Sequence, residues 1–443
     1  MEVTRTLSRY IVGSRYENVP AEVRHEASRA VLNGLGCAIG SARHETVENA
    51  LAAVKPFAGA SQAGVLGRSD RLDILHAALV NGISMHVLDF DDTHQRTVHV
   101  TVPVLPALLA YGEWKKLRGA DIVHAFVLGV EAEVRIALSV FPEHYEIGWH
   151  ITGTAGTFGS AAATGKLLGL DEQRMTWALG IAATQAAGLQ AMFGSMCKSL
   201  NPGRAAQNGL TAALLAAQGF TSSECGIEAP RGFAHVTSTK FDPSVITEDL
   251  GSSYELMKNM YKPYACGLVV HGAIDACAQL KREHDLEPED IERVELRTSP
   301  LVPKLCGNPN PTTGLEGKFS IYHACAAALT YGAAGEAQFA NEVVRDPQIA
   351  ALRGRITVTA EPAIHKLEAY ATVRLRDGKL LEKHVERALG SIERPMTDRD
   401  LEDKFRALVA GVLDDRQAAK VIDLCWRLPE LDDVGELVRA TAT

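Results

Sequence analysis

The chain reads as a mainly α protein: a large all-helical domain built from both chain ends, with a smaller α+β domain inserted between them. Three observations predict this. Apolar residues recur at helical spacing through residues 1–267. Alanine and glycine are plentiful while aromatics make up only 6% of the residues, which favours close helix–helix packing. After His284 the pattern changes to the period-two alternation of strands. At 443 residues the chain also exceeds the size at which a single core keeps growing.

The elements follow in order. Ala21 to Ile39 places Val23, Ala27, Ala30, Val31 and Leu35 on one helical face, and Pro20 suits the helix start. Leu72 to Leu88, Val104 to Trp114, Asp121 to Leu138 and Ala205 to Gln218 repeat the theme. Thr152 to Leu167 is so dense in glycine and alanine that another backbone must approach it closely. In 268–396, Ile291 to Arg297 and Arg355 to Thr359 alternate apolar and polar residues, and Asp377-Gly378 marks a hairpin between two such runs. Phe319 to Tyr331 reads as a helix between these strands. From Thr397 the sequence TDRDLEDKF opens a capped helix, so 397–443 is expected to rejoin the first domain.

Composition narrows the function classes. Hydrophobic content of 46% and charged content of 22% suit an ordinary globular enzyme or scaffold. A net charge of −9 argues against nucleic-acid binding, which needs a basic footprint, but not against an anionic substrate. The eight cysteines form no CxxC pair and no secretory signal pattern is visible, so reduced thiols in the cytoplasm are expected. Met175 to Cys197 carries no charge for 23 residues, but its glycines, glutamines and few large aliphatics fit a buried helix or helix pair better than a membrane span. No repeat, Walker loop, dinucleotide fingerprint or GxSxG elbow occurs.

The candidate chemistry starts at His86 to Pro103, HVLDFDDTHQRTVHVTVP, which sets Asp89, Asp91, Asp92, Thr93, His94, Arg96 and His99 between apolar runs. Buried charge must find a partner or do chemistry. His99 is the natural proton shuttle. A metal reading of the same residues is weaker, because Asp91 and Asp92 are adjacent and no HExxH or EF-hand spacing exists. Lys198 ends the uncharged stretch and is expected to be partly desolvated. The following Asn201-Pro202-Gly203-Arg204 is expected to turn the chain into a helix whose start favours an anion. Tyr145 or His150 could act as a second acid or base. Lys262, within Tyr261-Lys262-Pro263-Tyr264, lies near the domain junction, and Tyr322 could face the same cleft.

These blocks together resemble the MmgE/PrpD family, which includes 2-methylcitrate dehydratase, cis-aconitate decarboxylase and iminodisuccinate epimerase. The resemblance rests on His86-Val-Leu-Asp89-Phe-Asp-Asp-Thr93 with His99, and on Gly148-Trp-His150-Ile-Thr-Gly-Thr. Lys198 with Gly203-Arg-Ala-Ala-Gln-Asn-Gly, Tyr261-Lys262-Pro-Tyr before His271, and Lys318-Phe-Ser-Ile-Tyr322 complete it. It implies a helical domain from both chain ends, a smaller α+β lid, a homodimer, and no metal or organic cofactor. Matching site positions are Asp89, Thr93, His99, His150, Lys198, Lys262 and Tyr322. Val100-Thr101 stands where many members have Pro-Ser, Asn201 replaces a common histidine, and Gly267 stands where decarboxylase-type members carry histidine.

The implied chemistry moves a proton at a carbon beside a carboxylate in a small di- or tricarboxylate. Such a C–H is weakly acidic, so the carbanion needs cations in a water-poor site. Lys198, Lys262 and Arg96 or Arg204 are candidates to hold carboxylates, and His99 or Lys198 against Tyr145 could serve two faces. Within the family the sequence reading favours iminodisuccinate epimerisation, on overall length, Tyr145 and Gly267. A lyase of the same family is the alternative, and a non-enzymatic helical scaffold is the third reading.

Overall fold

A computed structural model of the protein describes residues 2–443. Helices dominate. Those that position the site are α1 (Ala21–Gly40), α2 (Ile74–Val87), α3 (Gly119–Val140), α4 (Ile151–Leu167) and α5 (Cys197–Ala217). Asp73 caps α2 by accepting from the amides of Leu75 and His76, so the helix that delivers the His86–Asp92 turn has a fixed start.

Small residues decide how these helices meet. α4 packs against both α3 and α5. A Cβ added to Gly159 would lie 2.9 Å from the Gly129 carbonyl oxygen of α3. The glycine–alanine texture of 152–167 thus does what the sequence predicts. Side chains there would push apart the helices that carry His150 and Lys198.

The second group of elements surrounds a four-stranded sheet of β1 (Ile291–Thr298), β2 (Ile356–Ala360), β3 (Ala369–Leu375) and β4 (Leu380–Val385), in the order β2-β1-β3-β4. β1 and β2 run parallel, with Val294 opposite Ile356; the other pairs are antiparallel. The Asp377-Gly378 hairpin forms as predicted, with Gly378 at φ +89°. α6 (His271–His284) packs on β3 and β4, and α7 (Ile321–Tyr331) packs on α6. α8 (Asp398–Val409), capped reciprocally by Thr397 and Asp400, then packs on α1. A Cβ on Gly40 would sit 2.7 Å from the Leu408 carbonyl oxygen, which shows how tightly that contact is drawn.

Two local expectations fail. Asn201-Pro202-Gly203-Arg204 does not turn the chain: α5 starts at Cys197 and carries Pro202 inside it. Lys198 therefore lies in the first turn of α5, and the helix start proposed near Ala205 does not exist. The uncharged stretch 175–197 is α-helical through Gln185 and then only at Cys197, where α5 begins, with one short 3-10 turn at Gln190–Met192 between. Gly188 and Gly194, at φ +144° and +82°, break the remainder into an irregular and partly exposed segment. Among the described residues no helix is long and apolar enough to cross a membrane, and all eight cysteines are free.

One core group conflicts with stability. Glu133 of α3 is fully buried and neither carboxyl oxygen has a hydrogen-bond partner. Burial, reinforced by Asp92, holds its carboxyl well above the usual range and so favours the neutral form. In the unfolded chain the group ionises near pH 4–5. Folding must then reprotonate it, and stability falls as pH rises from that value towards the folded-state pKa. Glu133→Met is therefore expected to raise stability by about 1–3 kcal/mol, with the gain growing from pH 5 to 8. Urea melts across that range would show it; an unchanged or lowered midpoint at pH 8 would contradict it.

Candidate active site

α2 ends at Val87, and Asp89 comes next but one in the left-handed region at φ +49°, an uncommon conformation for a residue with a side chain. That turn sends the Asp89 carboxylate inward, where Oδ1 accepts from Lys198 and from Lys262 at 3.2 Å. Lys262 also donates to the Asp89 carbonyl at 2.9 Å. The segments meet because Thr93-His94 pairs antiparallel with Asn259-Met260, with Thr93 opposite Met260. The two distant sequence blocks thus share one wall.

The electrostatics follow from burial. Desolvation opposes ionisation of Asp89, yet Lys198, Lys262, His99 and His86 together hold its carboxyl far below the usual range. Burial lowers Lys198 against the pull of Asp89. Lys262 is raised, because Asp89 and Asp91 outweigh its desolvation. Asp89 thus sits between the two buried amines, in contact with both. Its Nζ also lies 5.7 and 5.3 Å from the ring centroids of Phe193 and Phe319.

His99 is oriented from behind. Its Nδ1 lies 2.9 Å from an Asp91 oxygen, 2.9 Å from the Asp92 carbonyl and 3.2 Å from Thr93 Oγ1. His86 Nδ1 is 3.0 Å from the same Asp91 carboxylate. Burial opposes the Asp91 charge, but the two imidazoles hold its carboxyl well below the usual range. Donation through Nδ1 fixes the His99 tautomer and leaves Nε2, which has no hydrogen-bond partner among the described residues, as a proton acceptor. His86 stays neutral, pushed down to about 4 by burial.

A cavity of about 280 Å³ opens beside these groups. Asp89, Thr93, Arg96, His99, Tyr145, His150, Lys198 and Lys262 all line it. Tyr322 is not among the lining residues; it packs against the apolar core, and Phe319, three residues earlier, takes the wall instead. Arg204 is exposed on α5 and bonded to Gln207, so it holds no substrate here. Arg96 is exposed at the cavity mouth. Tyr145 is kept protonated by burial, with Cys306 and Asp89 reinforcing it. His150 is held well below its ordinary value by burial and then by Lys198, and its Nδ1 lies 2.9 Å from Asn201 Nδ2. Lys304 and Lys366, from the sheet-bearing part of the chain, add cations that sequence reasoning did not single out. Five Lys or Arg side chains line the cavity against the carboxylates of Asp89 and Glu146, so the cleft is locally positive within a chain of net charge −9.

The dispersed partners weaken the metal reading of the sequence. Asp89 faces the lysines, Asp92 accepts from Thr101 and Asn259, and His94 lies 3.2 Å from Glu255. His86, Asp91 and His99 bring their ligand atoms within 4.8 Å of one another. In the structure these atoms meet one another directly, His86 and His99 each contacting the Asp91 carboxylate.

Fold and cavity together define a helical protein with a buried imidazole–ammonium site. The chain belongs to the MmgE/PrpD family: the MmgE/PrpD N-terminal domain model matches residues 5–246 and the C-terminal domain model matches residues 264–428. It is 28% identical to the cis-aconitate decarboxylase of Aspergillus terreus, over 98% of this chain and 95% of that protein. It is 28% identical to the Homo sapiens cis-aconitate decarboxylase, over 98% of this chain and 93% of that one. The Mus musculus enzyme matches at 27%, covering 99% and 93%. These relatives are enzymes, and decarboxylases rather than epimerases.

Proposed function

We propose that the protein is a lyase that forms a carbanion beside a carboxylate in a small di- or tricarboxylate. The observation that carries this reading is the convergence of a free His99 Nε2 with the Lys198 and Lys262 ammoniums in one small, positive cavity. A volume of about 280 Å³ suits a compact anion. In this reading the ammoniums hold the substrate carboxylates and take up the charge that develops on carbon. If water departs, His99 takes the proton from carbon and Tyr145, protonated in the same cavity, gives one to the leaving hydroxyl. If carbon dioxide departs, no proton leaves carbon, and Tyr145 or a protonated His99 returns one to the carbanion. The similarity to cis-aconitate decarboxylases favours the lyase over the epimerase that the sequence reading preferred.

Epimerisation of iminodisuccinate is the second reading, and Gly267 favours it against decarboxylation. Gly267 lines the cavity where decarboxylase-type members are expected to carry histidine, and a Cβ there would meet Cys306 Sγ at 2.8 Å. As part of this proposal the protein is a cytoplasmic homodimer that works with its own side chains; eight free thiols suit a reducing compartment.

The test is incubation in D₂O with cis-aconitate, 2-methylcitrate and iminodisuccinate, followed by NMR. A decarboxylase releases carbon dioxide and places deuterium on the carbon where the carbanion is protonated; a dehydratase releases water and forms the alkene without deuterium entering it. Deuterium at the α-carbon of recovered iminodisuccinate with inversion supports the epimerase. Absence of exchange or product with all three would overturn the proposal.

A further inference from the structure

The turn that presents Asp89 is held by three buried ammoniums on three consecutive carbonyls. Lys318 Nζ donates to the Leu88 carbonyl at 2.6 Å, Lys262 to that of Asp89 at 2.9 Å, and Lys404 to that of Phe90 at 2.6 Å. The lysines come from separate places: Lys318 just before α7, Lys262 after the Asn259-Met260 strand, and Lys404 from the C-terminal α8. Lys318 reaches the Ala265 carbonyl at 3.0 Å and Glu336 at 2.5 Å as well. Lys404 also donates to the Lys262 carbonyl at 2.9 Å and to Asn33 Oδ1 at 2.7 Å, with its Nζ 3.9 Å from the Phe90 ring centroid.

Carbonyls at a helix end have no intrahelical partner and are usually met by water or by a capping residue. Here they are buried, and ammoniums replace the water. Burying ammoniums is an expensive way to fill a core, and apolar side chains of similar volume are often at least as stabilising. What the cations supply is direction. With the carbonyls on either side of Asp89 fixed, its left-handed backbone is fixed, and its carboxylate stays between Lys198 and Lys262.

We propose that Lys404 and Lys318 are positioning residues: through the Phe90 and Leu88 carbonyls they set the Asp89 carboxylate that aligns Lys198 and Lys262. Neither lines the cavity, so each acts on the reaction through the backbone it holds, the Asp89 turn and, for Lys404, the Lys262 carbonyl. The inference rests on the Asp89–Lys198–Lys262 cluster being the reactive centre of the proposed function.

The experiment uses full-length Lys404→Ala and Lys318→Ala, with two readouts. One is kcat and KM on whichever test substrate the wild type converts; the other is calorimetric binding of propane-1,2,3-tricarboxylate. Displacing the cluster by about 1 Å can cost roughly 10²-fold, so kcat is expected to fall at least about tenfold while KM changes less. Added propylammonium, matched to the atoms removed, is expected to restore part of the loss in Lys404→Ala. A kcat within about twofold of wild type at this scale, or a loss that propylammonium does not recover, would overturn the proposal. Should Lys404→Ala fail to fold, Lys404→Gln keeps two N–H donors without the charge and is judged by the same kcat criterion. If the wild type converts none of the substrates, the functional reading fails and binding decides the clamp. Affinity at least about tenfold weaker in Lys404→Ala supports it, and unchanged affinity refutes it.

Discussion

His99→Gln is expected to lower turnover by about 10²–10⁴-fold, the range for losing a positioned proton carrier, while the protein still folds. The fold should survive because His99 is only partly buried and its Nδ1 contacts only nearby residues. Glutamine can still place a donor near Asp91, so the orienting carboxylate keeps a partner, but no atom remains that takes a proton from carbon. The measurement pairs steady-state kinetics with circular dichroism and a thermal melt. A folded His99→Gln protein with wild-type turnover would remove His99 from the chemistry. Residual solvent exchange without net turnover would assign the remaining proton step to Tyr145.

Asp89→Asn is expected to reduce both stability and turnover, and it isolates charge from backbone. Asparagine tolerates the left-handed conformation that Asp89 adopts at φ +49°, so the turn itself is not the casualty. What disappears is the anion shared by Lys198 and Lys262, both buried. Stranding buried charges in this way costs about 3–5 kcal/mol. The pH dependence has a definite sign. Asp89 and Asp91 are depressed below their unfolded-state values, so their stabilisation is present above about pH 4 and is lost as pH falls towards the folded values. Asp89→Asn should therefore lose less stability than wild type between pH 5 and 3. Urea titrations at pH 7, 5 and 3 check both statements; wild-type stability at pH 7 would mean that the two lysines find adequate partners without Asp89.

Much of this arrangement was legible in the sequence because it depends on local pattern. Helical periodicity located the main helices, Thr397 with Asp400 gave the cap of α8, and Asp377-Gly378 gave the hairpin. Polar groups closing apolar runs at Asp89–His99, Lys198 and Lys262 pointed to a common cavity, since desolvated charge needs partners. Failures came where tertiary contacts override local preference. Pro202 is carried inside α5, whose other face is buried against α2 and α4, so the packing outweighs one lost backbone bond. The 175–197 stretch broke at glycines whose positive φ is invisible to a count of apolar residues. Tyr322 and Phe319 differ by nearly a helical turn, and no pattern in 318–322 says which ring reaches the cavity. Lys404 had a signal that went unread: in α8 it shares the buried stripe with Leu401 and Phe405, where a lysine must have a buried acceptor. Asp91 as the support of both His86 and His99 had none, because adjacent aspartates look alike until the chain is folded.

A crystal structure of the protein with propane-1,2,3-tricarboxylate bound tests the central claim most directly. One carboxylate is expected within about 3.2 Å of the Lys198 or Lys262 ammonium, with a carbon-bound hydrogen facing His99 Nε2. An anion seated only at Arg96, Lys304 and Lys366 in the mouth, with the Asp89–Lys198–Lys262 cluster and His99 untouched, would contradict it.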